Sequence, residues 1–259
     1  MVTDYSGQPL PDTFAPGTTE LILSGCKLNE LPGAAVAQLS DTLRRLDASS
    51  NGLTSLPGME LSACKSLTSL ELYANKLKDL PAEMGALAGL QTLNSFNNAL
   101  RKLPDSLGGL SALEEFNAAA NKLMMLTDKH FASWGALRVL QLSDNNLVRL
   151  GSLAPLLSLE ELRLSANNLE EMPSLATTGH LALSVFEIHK NRISSSMMAW
   201  PPRARYMACA HGQCGPARAW LGNHAPRPHE MNRTRVQHES AHSPFVYCGA
   251  REDPTPLRP

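Results

Sequence analysis

The sequence predicts an α/β solenoid, a curved stack of short repeats whose strands run parallel along one face. Three observations predict this fold. An eleven-residue pattern, clearest in residues 67–77, recurs eight times between Leu21 and Ile193. Its copies follow one another at intervals of 22 to 25 residues, and several of the return segments contain a Leu-Pro pair. A fixed period of this length is typical of stacked supersecondary units that contact only their neighbours.

Each copy contains Leu-x-Leu or a close variant, which predicts a short strand with two inward-pointing residues. Burying one leucine contributes roughly 1.5–3 kcal/mol. A single repeat cannot offset its own loss of conformational entropy, whereas eight stacked repeats can. We therefore assign the inward pairs to the core: Leu21/Leu23, Leu46/Ala48, Leu70/Leu72, Leu93/Ser95, Phe116/Ala118, Leu140/Leu142, Leu162/Leu164 and Phe186/Ile188.

One residue after each predicted strand repeats with the same period. The set is Cys26, Asn51, Asn75, Asn98, Asn121, Asn145, Asn167 and Asn191. The turn after the strand buries N–H and C=O groups that a regular sheet does not satisfy, and an asparagine amide offers both donors and an acceptor. We interpret this column as a structural ladder that ties each turn to the next, and not as a ligand site.

The return segments predict short helices on the opposite, convex face. Five segments contain Leu-Pro or Met-Pro: Leu31-Pro32, Leu56-Pro57, Leu80-Pro81, Leu103-Pro104 and Met172-Pro173. Proline interrupts strand pairing and turns the chain. The following residues, for example 82–90 and 105–113, have the apolar spacing of a helix or helical turn. Residues 130–134 and 151–155 lack the pair, so we expect local irregularity there.

The pattern L-x-x-L-x-L-x-x-N/C-x-L resembles that of leucine-rich repeats, and it covers residues 20–196 of the 259. Repeats of about 23 residues with a central Leu-Pro resemble the intracellular Ras-group family in particular. The resemblance implies a leucine-rich-repeat solenoid, a curved horseshoe with its strands on the concave face. It also implies protein binding and scaffolding without catalysis.

In solenoids of this family the outward-facing strand residues line the concave groove. Tyr73 and Phe96 occupy the same column in adjacent repeats, although aromatic residues make up only 5% of the chain. Exposed aromatic residues among polar neighbours are favoured interface anchors. The alternative is that the two rings only cover each other against water. The predicted partner-binding residues are Glu71, Tyr73, Asn94, Phe96, Asn117, Gln141 and Arg163.

The sequence contains no phosphate loop, dinucleotide fingerprint or nucleophile elbow. His130, His180 and His189 have no nucleophile at a matching position, so we predict no catalytic residues and no cofactor. One metal-like group is Cys209, His211, Cys214, His242 and Cys248. Its spacings are looser than those of zinc sites, and we predict no metal.

Charge and targeting signals bear on the partner and the compartment. Residues 1–196 carry 15 Lys and Arg against 20 Asp and Glu, whereas residues 197–259 carry 8 against 4. Neither excess is large enough to indicate nucleic acid. We see no secretion signal, no membrane-spanning apolar run and no paired cysteine framework. We predict a cytoplasmic monomer that binds a protein, with no nucleic acid and no membrane.

The chain divides into a lead-in or cap over residues 1–19, the solenoid over 20–196 and a low-order tail over 197–259. The tail holds nine of the eighteen prolines, eight arginines and no lysine. It is either a genuine disordered tail or a gene-model artefact such as a translated intron. Because the repeat stops after Ile193 without a closing cap, a second hypothesis is the recognition fragment of a larger signalling enzyme, a kinase or a ubiquitin ligase.

Overall fold

The computed structural model describes residues 1–174 and 182–193, and the backbone of residues 206–208. In this part of the chain, ten strands form one parallel sheet in chain order. The predicted α/β solenoid is confirmed. The strands are β1 Val2–Asp4, β2 Glu20–Ile22, β3 Arg45–Asp47, β4 Ser69–Glu71, β5 Thr92–Asn94, β6 Glu115–Asn117, β8 Val139–Gln141, β10 Glu161–Arg163, β11 Val185–Glu187 and β12 Tyr206–Ala208.

The eight strands of the repeats form the middle of the sheet, and one further strand lies at each end. At the amino end, β1 pairs in parallel with β2, and the Tyr5 and Phe14 rings lie 5.7 Å apart. Phe14 is buried against the core, so the lead-in covers the first repeat. At the other end, β12 pairs with β11 in a stretch for which the sequence predicted no strand. The domain limits and the nature of the tail stay predictions.

Five short helices lie on the convex side of the described repeats, and four of them follow a Leu-Pro pair; most of the segment after Met172-Pro173 lies outside the described residues. The helices are α1 Gly33–Ala37, α2 Gly58–Ala63, the 3-10 helices Ala82–Ala86 and Asp105–Gly109, and α3 Asp128–Phe131. In the first four, the proline of the pair is the residue immediately before the helix. The helices stack closely, because a methyl group added to Gly85 would overlap the backbone of Ser106 in the next helix.

The two repeats without a Leu-Pro pair contain a second sheet. Its strands are β7 Met125–Leu126 and β9 Arg149–Leu150, which pair in parallel. The Gly151 N–H, at the position that proline takes elsewhere, donates to the Leu126 carbonyl at 2.8 Å. Proline could not make this bond. The expected irregularity is therefore a local exchange of the proline turn for strand pairing.

The core is one continuous hydrophobic cluster that runs from Phe14 to Ile193 through the described repeats. All sixteen inward residues predicted from the pattern are buried, including the polar Ser95. Its hydroxyl donates to the Asn117 carbonyl at 3.2 Å, which satisfies the buried group. The pattern thus places the opposite, outward residues of each strand on the concave face.

Candidate functional site

The side chains of the asparagine column form hydrogen bonds that join neighbouring turns. The Asn145 Oδ1 atom accepts the Leu123 N–H at 2.9 Å, and its Nδ2 donates to the carbonyls of Ala118 and Leu142 at 2.9 and 3.1 Å. The other six asparagines make the same set of bonds one repeat apart. Cys26 differs, because its thiol donates to the Tyr5 carbonyl at 3.0 Å. These amides are engaged within the chain and offer little to a ligand.

The residue before each ladder asparagine has a left-handed backbone. The φ angles are 53° to 56° at Ser50, Ala74, Asn97, Ala120, Asp144, Ala166 and Lys190. This conformation is unfavourable for residues other than glycine and costs about 1–2 kcal/mol per residue. The turn that presents the ladder amide is therefore held by its hydrogen bonds against a local backbone preference.

Five of the seven predicted partner-binding residues form one row across the concave face. In the strand register, each residue of this row lies opposite the next one on the neighbouring strand. The order is Glu71, Asn94, Asn117, Gln141 and Arg163. Neighbouring parallel strands lie about 4.8 Å apart, so the row spans roughly 20 Å. Tyr73 comes two residues after Glu71 along the chain, and Phe96 comes two residues after Asn94. Both belong to the next outward column.

A shallow depression of about 140 Å³ lies on this row. Its lining comprises Glu71, Thr92, Leu93, Asn94, Glu115, Phe116, Asn117, Val139 and Gln141. Four of the predicted residues therefore share one cavity. Thr92, Glu115 and Val139 are not among the predicted partner-binding residues, and the strand register places them together in a parallel column. The repeat period does indicate this flanking column of the groove, but it contains no aromatic residue.

Tyr73 and Phe96 lie on adjacent repeats, but their rings are not in contact. Phe96 is 41% exposed and Tyr73 is half-buried, and the Ala74 N–H donates to the Phe96 carbonyl at 2.9 Å. The ring contacts found among the described residues are Tyr5–Phe14, Phe116–Trp134 and Phe131–Trp134. Tyr73 and Phe96 form no such ring pair, which favours the binding interpretation over mutual cover, and their role in binding stays a prediction.

Arg163 is neutralised within the concave face. Its guanidinium contacts the Glu187 carboxylate at 3.0 Å and the Glu161 carboxylate at 3.2 Å. Its Nε atom is buried without a hydrogen-bond partner. Arg163 was predicted to supply charge to a partner, and in the structure that charge is already shared with two carboxylates of the same face.

Glu71 lies in the opposite electrostatic setting. Burial raises the pKa of its carboxyl above the ordinary value, and repulsion from Asp47 and Glu115 acts in the same direction. A hydrogen bond from Asn94 and attraction to Arg45 lower that pKa but do not outweigh burial. The ionised carboxylate of Glu71 is thus incompletely compensated by the groups around it.

The histidines of the described repeats have structural partners. His130 is buried: its Nδ1 accepts the Thr127 N–H at 3.0 Å. The His189 Nδ1 lies 2.8 Å from the Ser165 hydroxyl, while the nearby Glu187 pairs with Arg163. His180 and the five tail residues considered for zinc lie outside the described residues. In residues 1–174 and 182–193, no group of three or more His, Cys, Asp or Glu side chains could hold a metal ion.

Among the described residues, no helix has both the length and the apolar character needed to cross a bilayer.

Comparison with protein families gives two matches within the solenoid. The family described as "Leucine rich repeat" matches residues 119–169, and "Leucine Rich repeats (2 copies)" matches residues 41–83. A comparison with the curated proteins finds no match. With the regular strand register and the ladder, these matches show that the chain is built of leucine-rich repeats.

Solved structures show the same fold. A leucine-rich-repeat protein of Leptospira interrogans is 28% identical with a TM-score of 0.60, over 73% of this chain and 55% of that one. The ectodomain of the Arabidopsis thaliana receptor kinase GASSHO1/SCHENGEN3, in complex with CASPARIAN STRIP INTEGRITY FACTOR 2, is 26% identical with a TM-score of 0.54, over 66% and 20%. TLR13 in complex with ssRNA13 is 28% identical with a TM-score of 0.55, over 67% and 25%.

The chain spans about half the length of the Leptospira protein and a quarter or less of the other two. The repeat fold is therefore shared with these structures over part of their length. The match to the Ras-group subfamily stays a resemblance.

Proposed function

We propose that this chain is a non-catalytic module that binds a protein partner through its concave face, as a cytoplasmic scaffold or regulatory subunit. Leucine-rich-repeat domains are generally protein-interaction modules, which supports the first part of the proposal. The observation that carries it is the exposed, unstacked Phe96 beside Tyr73, next to a row of polar side chains. An aromatic residue within a polar rim is the usual anchor of a protein interface.

The relatives are compatible with more than one type of ligand. The Arabidopsis ectodomain is seen in complex with a factor, and TLR13 is seen with an RNA. Phosphate groups require lysine and arginine side chains. On the concave face of this chain, acidic side chains outnumber basic ones from β2 to β11, and Arg163 is paired with two carboxylates. A protein partner fits this surface better than RNA, and our proposal remains a protein partner, no nucleic acid and a monomeric chain.

Affinity capture from a native lysate tests the proposal. The full chain is compared with a double variant, Tyr73→Ala/Phe96→Ala, with captured proteins identified by mass spectrometry. We expect the variant to lose the specific partner, because truncating interface anchors costs about 2 kcal/mol or more each.

A matched control is Met124→Ala/Met125→Ala. These two side chains are 61% and 57% exposed but lie on the flank of the solenoid, outside the concave row. The control should retain the partner. A Tyr73→Ala/Phe96→Ala variant that folds normally and captures the same partner would refute the concave-face proposal. Light scattering of the purified chain measures its mass in solution and tests the predicted monomer.

The hypothesis of a recognition fragment from a larger signalling enzyme stays a prediction. It differs from the scaffold proposal in what the gene encodes, and a longer transcript that continues into a kinase or ubiquitin-ligase domain would support it.

A further inference from the structure

The concave face between β3 and β6 carries an excess of negative charge. Its charged side chains are the carboxylates of Asp47, Glu71 and Glu115 and the guanidinium of Arg45. Among the described residues, none of these four forms an ion pair within 4.0 Å. Asp47 is engaged locally, since its Oδ1 accepts the Ser49 N–H and hydroxyl. Glu71 accepts a hydrogen bond from Asn94 but, like Glu115 and unlike Asp47, it lines the depression, so these two carboxylates are the ones available to a ligand there.

This part of the face contrasts with the region around β10 and β11. There Arg163 balances Glu161 and Glu187 through contacts of 3.2 and 3.0 Å. Both carboxylates of that region are in contact with a cation, and its net charge is −1. The face between β3 and β6 has a net charge of −2 and no ion pair among the described residues, so attraction for a cationic partner is stronger there. The depression described above lies in the same place and includes both Glu71 and Glu115 in its lining.

The volume of the depression limits what can enter it. At about 140 Å³ it is well below the roughly 300–1,000 Å³ of pockets that hold cofactors and drug-sized ligands. The end of one long side chain fits this space.

The aromatic residues are connected to this depression through Asn94. Its Oδ1 accepts the Phe96 N–H at 3.1 Å, and its side chain also hydrogen-bonds to Glu71. Thus the backbone of Phe96 and the carboxylate of the half-buried Glu71 are both hydrogen-bonded to the side chain of Asn94. A planar cation can stack on an aromatic ring while its N–H groups pair with a carboxylate.

Resting on the proposed function, we infer that the face between β3 and β6 binds an arginine-bearing, extended segment of the partner protein. One guanidinium enters the depression and donates to Glu71 and Glu115, and the segment continues over Tyr73 and Phe96. Arginine is preferred over lysine, because its flat fork of donors suits both a carboxylate and an aromatic ring. A nucleic acid is disfavoured, because its phosphates would meet these carboxylates.

The test begins with selection of random dodecapeptides displayed on phage, using the full chain as bait. We expect arginine to be enriched in the selected peptides relative to the starting library. One selected peptide is then labelled, and its affinity for the full chain is measured by fluorescence anisotropy. Replacing its arginine with lysine should weaken binding severalfold, and replacing it with glutamine should weaken binding about tenfold or more.

Charge variants of the protein assign the contact. Glu71→Gln/Glu115→Gln keeps the shape of both side chains and should weaken binding of the arginine peptide about tenfold or more. The matched control is Glu170→Gln/Glu171→Gln, which removes the same charge from two exposed flank residues and should leave the affinity unchanged. A control effect as large as that of the double concave variant would indicate general electrostatics and overturn the inference.

The remaining outcomes separate this inference from the proposed function. If the selected peptides lack arginine but lose binding to Tyr73→Ala/Phe96→Ala, the proposed function stands and the inference is wrong. If no peptide is enriched, the inference is wrong, and partner capture decides the proposed function independently. Binding of a labelled single-stranded RNA at physiological salt that Glu71→Gln/Glu115→Gln strengthens would also overturn the inference in favour of a nucleic acid.

Discussion

At the scale of single residues, the ladder asparagines combine two roles that a sequence pattern does not separate. Each amide joins two repeats, and each is preceded by a residue in the left-handed region. For Asn145, four hydrogen bonds converge on one side chain, and three of the partners are backbone carbonyls. Removing the amide would leave the buried Leu123 N–H without its acceptor, which costs about 1–3 kcal/mol. The carbonyls of Ala118, Leu142 and Ser143 would each lose one of two donors.

We therefore predict that Asn145→Ala lowers the free energy of unfolding by about 2–4 kcal/mol. The measurement is urea denaturation followed by circular dichroism. The control is Asn146→Ala, since Asn146 is the next residue, is exposed, and forms only a backbone bond from its N–H to the Leu123 carbonyl. Equal stability of the two variants would contradict the structural role of the ladder.

The repeat period is enough to predict which residues share a row on the concave face. Glu71, Asn94, Asn117 and Gln141 fall in register because their spacing follows the strand spacing. The period does not predict side-chain conformation. It therefore could not show that Arg163 is neutralised by its neighbours, or that the rings of Tyr73 and Phe96 do not touch.

At the scale of elements, the convex helices approach closely enough to require glycine at their contacts, for example at Gly85. The 3-10 helix Ala82–Ala86 packs against the helix Asp105–Gly109, and the Ser106 hydroxyl donates to the Ala82 carbonyl at 2.6 Å. Gly85 lies where this approach is tightest, so any side chain there must displace backbone. Backbone cannot move as readily as the end of a flexible side chain.

Gly85→Ala is expected to destabilise the chain by about 1–3 kcal/mol, because the added methyl group overpacks the contact between the two helices. Gly89→Ala in the same segment is the control, since its methyl group would lie at an ordinary 3.7 Å from the nearest atom. That variant should be neutral or slightly more stable, because alanine restricts the unfolded chain. The measurement is thermal unfolding of both variants. A Gly85→Ala variant as stable as the unchanged chain would contradict the close approach of Gly85 to the Ser106 backbone.

The type of each convex element could be predicted only in part. The Leu-Pro pairs correctly indicate where helical turns begin, because proline fixes the backbone at that point. Their absence at Leu126 and Leu150 is visible in the sequence and indicates irregularity. It does not indicate that the freed N–H of Gly151 pairs with Leu126, since that depends on how two repeats lie in space.

At the scale of the whole molecule, stability depends on contacts between repeats. The buried side chains form one cluster from Phe14 to Ile193, with no break among the described repeats. In such a stack each repeat is stabilised by both neighbours, so a defect in the middle weakens two interfaces. The length of this cluster followed from the period, whereas the strands β1 and β12 at its ends did not, because neither has the leucine pattern.

Leu140→Ala in the central strand β8 is expected to lower stability by about 2–5 kcal/mol through loss of burial and a residual cavity. The control is Leu157→Ala, because Leu157 is 56% exposed and should change stability by less than about 0.5 kcal/mol. Urea unfolding should remain one transition with an unchanged slope. A smaller slope for Leu140→Ala would mean that the two halves of the stack unfold separately.

The small sheet of β7 and β9 has a mechanical consequence. A solenoid bends by opening the spacing between repeats on one side while the other side stays closed. Between the repeats of β6 and β8, hydrogen bonds join the backbone both on the concave face and on the flank. Opening this joint in either direction must break backbone bonds, so it resists bending more than a joint with a proline turn on the flank. The concave row from Glu71 to Arg163 crosses this joint between Asn117 and Gln141, and the spacing of those two residues is therefore held on both sides.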